Sequence, residues 1–242
     1  MVPGRPAQPG RVTRTLLKWL MKPARVAAAD ALSPRFRLIS FDGDELSGAT
    51  WSPGDKVKVA MGGGLSTRTY TPMSWDADRG GTQILAFSHG DGPGSHWASN
   101  LRVGDTCQFF GPRRSIDLSG LETPAVLFGD ETSFGLAHAF RNSPQGAGVS
   151  LIFETSNLAE SRSVLDAIGL GDASLFERVA GDAHLVEIGA ELARHASASA
   201  QFILTGKASS IQNISRALKV AGVGSARLSV KAYWASGKTG LD

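Results

Sequence analysis

The constraint that most narrows the fold of this chain is a change of pattern near Gly120. Upstream, Phe36 to Phe41, Lys56 to Val59, Gln83 to Phe87 and Thr106 to Phe110 alternate apolar and polar residues, with Pro-Gly, Gly-Gly and Gly-Asp steps between them. Period-two alternation between turn residues makes short strands with one buried face, which predicts an antiparallel barrel of about six strands. One helix interrupts it near Ser95. Downstream, Ala125 to Phe128, Ser150 to Phe153, His184 to Ile188 and Gln201 to Leu204 are short apolar runs separated by helical segments. Strands buried on both faces read this way, so a parallel α/β sheet is expected. A chain of 242 residues has room for both units. The expected boundaries are a lead and basic helix over 1–25, a barrel domain over 26–120 and an α/β domain with a C-terminal tail over 121–242.

Charge and composition remove several function classes. The formal net charge is +3, but six basic residues (Arg5, Arg11, Arg14, Lys18, Lys22, Arg25) precede the first acid, Asp30. The basic excess therefore belongs to the N-terminus, and no basic-aromatic repeat or zinc spacing accompanies it, which argues against nucleic-acid binding. Val12, Leu16, Trp19 and Leu20 follow helical spacing up to Pro23. That short helix suits docking on the body of the protein, and its alternative use is as a membrane-surface anchor. A single cysteine, Cys107, excludes an intramolecular disulfide and a thiolate metal site. No apolar run approaches the roughly 20 residues of a membrane-spanning helix. The expectation is a soluble, cytoplasmic monomer.

Two segments carry chemistry. In Thr67-Arg-Thr-Tyr-Thr-Pro72, alternation sets Arg68 and Tyr70 on one strand face beside Thr71. A guanidinium for phosphate oxygens, an aromatic plane and a hydroxyl together meet the needs of a flavin nucleotide, although a polar edge strand with one packed tyrosine has the same pattern. The run Phe87-Ser-His-Gly-Asp-Gly-Pro-Gly-Ser-His-Trp-Ala98 follows. Its glycines let backbone approach a ligand, and the helix starting near Ser95 would turn free N–H groups toward a pyrophosphate. In the second half, Gly129-Asp-Glu-Thr132 is a strand running into a glycine turn, and Glu154-Thr-Ser-Asn157 follows the next strand. Glu154 would suit a ribose diol, whereas Ser156 and Arg162 would suit a 2′-phosphate.

Taken in order, Arg68 to Pro72, His89 to Ala98, Gly104-Asp105, Gly111-Pro112, Gly129 to Thr132 and Tyr233-Trp234 with Gly237 resemble the bacterial siderophore-interacting proteins, FAD-dependent ferric-siderophore reductases of the ferredoxin-reductase-like group. The resemblance implies an FAD-binding β-barrel followed by a Rossmann-like nicotinamide-binding domain. It implies hydride transfer from NADH or NADPH to FAD and single-electron steps to siderophore-bound Fe(III), with the flavin and no protein side chain carrying the electron chemistry. Arg68 would hold the FAD phosphates, Thr69 beside it would contact the cofactor, Tyr70 would pack on the flavin, and Thr71 would hydrogen-bond near its reactive edge. Phe87, Ser88, His89, Gly92, Gly94, Ser95 and Trp97 would complete the cradle, with Thr132 and Trp234 reaching the cofactor from the second domain. Gly129, Asp130, Glu131 and Thr132, with Glu154, Ser156 and Arg162, would hold the nicotinamide nucleotide. An anionic ferric siderophore would meet Lys58, Lys231 and Lys238. Lys207, Ala235 and Met73 depart from the residues common at their places, and a ferredoxin is an alternative electron source, docked by the basic N-terminus.

Overall fold

A computed structural model describes residues 21–61, 66–121, 124–196 and 199–238. The expected lead and the helix over 12–20 lie outside the described residues, and Pro23 belongs to a strand. The first sheet is antiparallel and contains β1 (Lys22–Ala31), β2 (Phe36–Asp42), β3 (Asp55–Ala60), β4 (Thr67–Tyr70), β5 (Pro72–Asp76), β6 (Gly81–Phe87) and β7 (Thr106–Arg114). Their order is β4-β3-β7-β1-β2-β6-β5. The two edge strands, β4 and β5, are separated in sequence by Thr71 alone, so one residue joins the opposite edges of the sheet. Seven strands stand where about six were expected because Pro72, lacking an N–H, marks a change of partner from β3 to β6. Alternate residues such as Val57, Val59, Ile39, Phe41 and Phe109 fill the interior.

Helix α1 (Pro93–Asn100) lies between β6 and β7. It begins two residues before the expected Ser95, since proline at its first position loses only an N–H that the first turn leaves unpaired anyway.

The second sheet is parallel, in the order β10-β9-β8-β11-β12. Its strands are β8 (Ala125–Gly129), β9 (Ser150–Thr155), β10 (Ser174–Glu177), β11 (Gln201–Lys207) and β12 (Leu228–Trp234). Helices α2 (Phe134–Arg141), α3 (Leu158–Ala167), α4 (His184–Ala196) and α5 (Ala208–Val220) connect and flank them. The expected strand at His184 to Ile188 is instead the first part of α4. Its apolar run continues at helical spacing, with Leu185, Ile188 and Leu192 buried, and a five-residue window cannot separate that pattern from a buried strand. The sheet's own third and fifth strands, β10 and β12, were not anticipated. From β8 the chain winds outward through β9 and β10, then returns to the other side through β11 and β12. That reversal opens a crevice at the carboxyl ends of β8 and β11.

A buried cluster joins the two sheets. Phe36 and Met73 share it with Phe134, Leu136, Phe140 and Phe153, and Phe36 stacks on Phe134 with centroids 5.6 Å apart. Met73 is 3% exposed, which explains an apolar residue there: burying its side chain is worth about 1.5–3 kcal/mol. Gly135 lets α2 rest on the link between the edge strands, since a methyl group in its place would stand 3.3 Å from the Thr71 carbonyl oxygen. Among the described residues no helix is long and apolar enough to cross a membrane.

Candidate functional site

Arg68 and the start of α1 form the first element of the site. Arg68 pairs with Val59 across the β3–β4 ladder, and its stem lies against Gly94, where a Cβ would come within 3.1 Å of Arg68 Cγ. Among the described residues no carboxylate pairs with Arg68; its guanidinium donates to the Thr67 carbonyl at 2.9 Å. Helix α1 has Gly92 as its N-cap, no capping side chain and no acid in its first turn. The N–H groups of Gly94 and Ser95 therefore have no partner within the helix, and open space surrounds Gly90 and Gly92. A cation beside an uncapped helix start, with glycine where a side chain would intrude, suits a diphosphate. Tyr70, packed on the interior cluster, lies 5.6 Å from Trp97, and burial raises the pKa of its hydroxyl. Thr69 faces the other way, paired with Lys58. These residues fit the phosphate end and an aromatic wall of an FAD molecule.

The second element lies where the sheets meet. Thr71 Oγ1 donates to Tyr233 Oη at 3.5 Å, and burial pushes the Tyr233 hydroxyl up to about 12 despite that contact. Beside it, Trp234 donates its indole N–H to Asp130 Oδ2 at 2.7 Å and stacks on His89, with centroids 6.2 Å apart. Phe87 lies 6.1 Å from His89, and Ser88 donates its backbone N–H to the Arg35 carbonyl. Asp130 is fully buried at the end of β8, and burial lifts its carboxyl to about 6 although Thr132 and Trp234 donate to it. Gly129 and Gly206 leave the room this needs: a Cβ on Gly129 would collide with Ser133, and one on Gly206 with the Asp130 carboxylate.

The carboxyl ends of β8, β9 and β10 meet in a buried ion network. Glu131, 2% exposed, accepts from Ser156 N and Oγ, both at 2.7 Å, and pairs with Arg178. Burial opposes its charge, yet Arg178 and Ser156 hold its carboxyl below the usual range. Glu154, 1% exposed, lies 2.8 Å from His184 Nε2 and 3.5 Å from Arg178 Nε. The expectation that Glu154 reads a ribose diol meets a different placement, because its carboxylate is enclosed by these partners. Arg162 is likewise engaged: its guanidinium donates to the carbonyls of Gly171 and Ala173, fastening the loop before β10. Ser156 remains exposed, and its hydroxyl accepts from Arg35 at 2.8 Å.

Arg35, Arg178 and His184 were not among the residues singled out from sequence, and Tyr233 entered there only as part of the Tyr233-Trp234 motif, without a site role. Arg35 ties the antiparallel sheet to α3 through Glu160 and lies over the Phe87 ring at 5.3 Å. Nothing local marks Arg178 or His184, whereas Tyr233 adjoins the Trp234 already selected. Of the three expected substrate lysines, Lys58 lines a hollow on the outer face of β3 and β7; Lys231 on β12 and Lys238 beyond it do not line that hollow. Burial pushes the Cys107 thiol up to about 11, in keeping with a structural residue.

Residues 62–116 match the family model of the siderophore-interacting FAD-binding domain. No curated protein matches the chain by sequence. Among solved structures, a siderophore utilization protein from T. fusca is 23% identical with a TM-score of 0.72, covering 92% of this chain and 95% of its own. The siderophore-interacting protein from Acinetobacter baumannii is 14% identical with a TM-score of 0.71, covering 90% and 91%. The flavohem-like FAD/NAD-binding domain of nitric oxide dioxygenase from Vibrio cholerae is 16% identical with a TM-score of 0.66, covering 88% and 98%. The chain thus has the two-domain, ferredoxin-reductase-like fold: an antiparallel sheet followed by a parallel α/β sheet.

Proposed function

We propose that this protein is an FAD-dependent reductase that delivers electrons from NADH, NADPH or a ferredoxin to iron(III) held by a siderophore, acting in the cytoplasm as a monomer. The observation that carries the reading is the Arg68 guanidinium beside the acid-free, uncapped start of α1, with no carboxylate paired to it among the described residues. The match of 62–116 to a siderophore-interacting FAD-binding domain supports the same assignment. In this reading the barrel domain, expected over 26–120, takes in the whole of β1 from Lys22, and the α/β domain spans 121–242.

When bound, FAD supplies the conversion between a two-electron donor and a one-electron acceptor. The protein's own residues bind and orient. Arg68 neutralises phosphate charge while the Gly94 and Ser95 amides donate to it. Tyr70 and Trp97 offer a wall, and the Thr71 and Tyr233 hydroxyls are the polar groups at the meeting of the two sheets. Trp234 and His89 close the neighbouring side. A nicotinamide donor would enter at the carboxyl ends of β8 and β11, where Gly129, Asp130 and Thr132 shape the turn and Ser156 offers its hydroxyl. Lys58, Lys231 and Lys238 are the candidate cations for an anionic iron chelate.

The test is the visible spectrum of purified protein reconstituted with FAD, followed by anaerobic mixing with NADH, NADPH or reduced ferredoxin and then a ferric siderophore. A retained flavin spectrum, bleached by a donor and restored by the iron complex, is expected. Arg68→Ala should weaken FAD retention by about tenfold or more, since charge-assisted bonds are worth about 1.5–3 kcal/mol. A chain that cannot hold FAD refutes the assignment, and one that reduces free quinones or ferredoxin but no ferric siderophore is a general flavin reductase.

A further inference from the structure

Asp130 sits in the turn where a nicotinamide donor would enter, yet its side chain is fully buried and meets no nucleotide directly. Its contacts decide what it can do. Among the described residues the carboxylate only accepts: Oδ1 takes the Thr132 N–H at 2.9 Å and the Thr132 hydroxyl, and Oδ2 takes the Trp234 indole N–H at 2.7 Å. Trp234 is the last residue of β12, and its ring stacks on His89 in the glycine-rich run before α1, with centroids 6.2 Å apart. One side chain of the parallel sheet therefore reaches the cofactor cradle of the antiparallel sheet, and the bond to Asp130 fixes its indole. Strand β11 hems the carboxylate in, since a Cβ on Gly206 would stand 2.6 Å from it. The charges nearest to it are Glu131, which raises its proton affinity, and Arg178, which lowers it. Glu154 is engaged by Arg178 and His184, Lys207 at the end of β11 is paired with Asp182, and burial keeps the Tyr233 hydroxyl protonated. His89 is the titratable group against the Trp234 ring.

We infer that Asp130 is a proton-sensitive positioning residue for the cofactor site: as a carboxylate it holds Trp234 against the cradle, and on taking a proton it releases the ring and loosens FAD. The inference rests on the FAD-binding reading for the identity of the ligand. A carboxylate offers Oδ2 to the indole, whereas a carboxylic acid must place its proton among donors that already point at it. The Thr132 bonds lie within one tight turn, so the indole, arriving from another strand, is the contact that gives way. What remains is also weaker, because charge-assisted hydrogen bonds are roughly twice as strong as neutral ones. The burial that lifts this carboxyl to about 6 places the change within reach of ordinary buffers. Above that midpoint the group is ionised and the ring is held; below it the ring is freed.

The experiment labels the full chain with 5-fluorotryptophan and assigns the Trp234 fluorine resonance by its loss in Trp234→Phe. Without FAD its shift should titrate with a midpoint at about 6. Added FAD should lower that midpoint, since a ligand that favours the ionised form must weaken proton binding in return. FAD affinity, read by spectral titration, should be at least about fivefold weaker at pH 5 than at pH 7.5. Asp130→Asn turns an amide N–H toward one of the donors, so at pH 7.5 it should bind FAD about as weakly as the wild type does at pH 5, with no fluorine titration. Trp234→Phe keeps an aromatic ring but no N–H, and its affinity should be equally weak and independent of pH; it carries the test if circular dichroism shows Asp130→Asn unfolded. Imidazoles ordinarily charge in the same range, but a cation gained beside an anionic cofactor tightens it as pH falls, the opposite sign, and His89→Gln should keep the fluorine titration. A Trp234 resonance that does not titrate, an affinity that does not fall toward pH 5, or a fall that persists in Trp234→Phe would each overturn the inference while leaving the reductase reading standing. A chain that retains no FAD at any pH removes that reading, and the fluorine titration of the FAD-free protein then decides the hold of Asp130 on Trp234 by itself.

Discussion

Asp130 offers a quantitative test of how the α/β sheet is built. Its carboxyl is fully buried at the end of β8, and burial moves its proton midpoint from 3.8 to about 6. Each tenfold change in proton affinity is worth about 1.36 kcal/mol, so ionised Asp130 costs the folded state about 3 kcal/mol relative to the unfolded chain. The sign follows from the raised midpoint. Below pH 3.8 the group is protonated in both states and no penalty exists; as pH rises through 6 the folded carboxyl is forced to ionise and the full penalty appears. About 2 kcal/mol of it falls between pH 4.5 and 7.5. Asp130→Asn cannot ionise, and it loses the bond from the Trp234 indole, a cost of about 1–3 kcal/mol that does not vary with pH. Urea unfolding of both proteins, followed by circular dichroism across pH 4.5–7.5, isolates the proton term because other titrating groups cancel in the difference. The wild type should lose about 2 kcal/mol relative to the variant over that range. A difference that stays constant with pH would refute the argument that burial governs this carboxyl.

Arg178→Ala would leave Glu131 and Glu154 buried without their cation, and the melting curve should register a loss of about 3–5 kcal/mol, with Arg178→Ala/Glu131→Gln recovering part of it. Gly92→Asp should cap α1 and raise thermal stability slightly, while placing a carboxylate where phosphate is proposed; FAD retention, measured by spectral titration, should fall by about tenfold or more. Gly206→Ala should destabilise the protein by about 1–3 kcal/mol in the same urea assay, because φ there is +98° and the new methyl would strike the Asp130 carboxylate. If that variant is as stable as the wild type, the packing of β11 against Asp130 has been misjudged.

The chain's local patterns determined a good deal. Alternation between glycine turns specified the antiparallel half, and the shared strand face of Arg68 and Tyr70 and the glycine-rich start of α1 were legible because helix starts and strand faces are set by residues close in sequence. His184 to Ile188 was misread as a strand because five apolar-rich residues carry too little of either period, and only the continuation to Leu192 on one helix face decides it.

What tertiary structure alone decided are the partners of charged groups. Glu154, read as suited to a ribose diol, has Arg178 and His184 brought to it by β10 and α4, and Arg162, read as suited to a 2′-phosphate, donates to carbonyls of the loop before β10. Likewise, Lys56 and Lys58 meet Arg113 and Arg114 only through the register of β3 against β7 and its shift. A charge is read from sequence, but its effect depends on what lies within a few ångströms, and residues distant in the chain supply those neighbours.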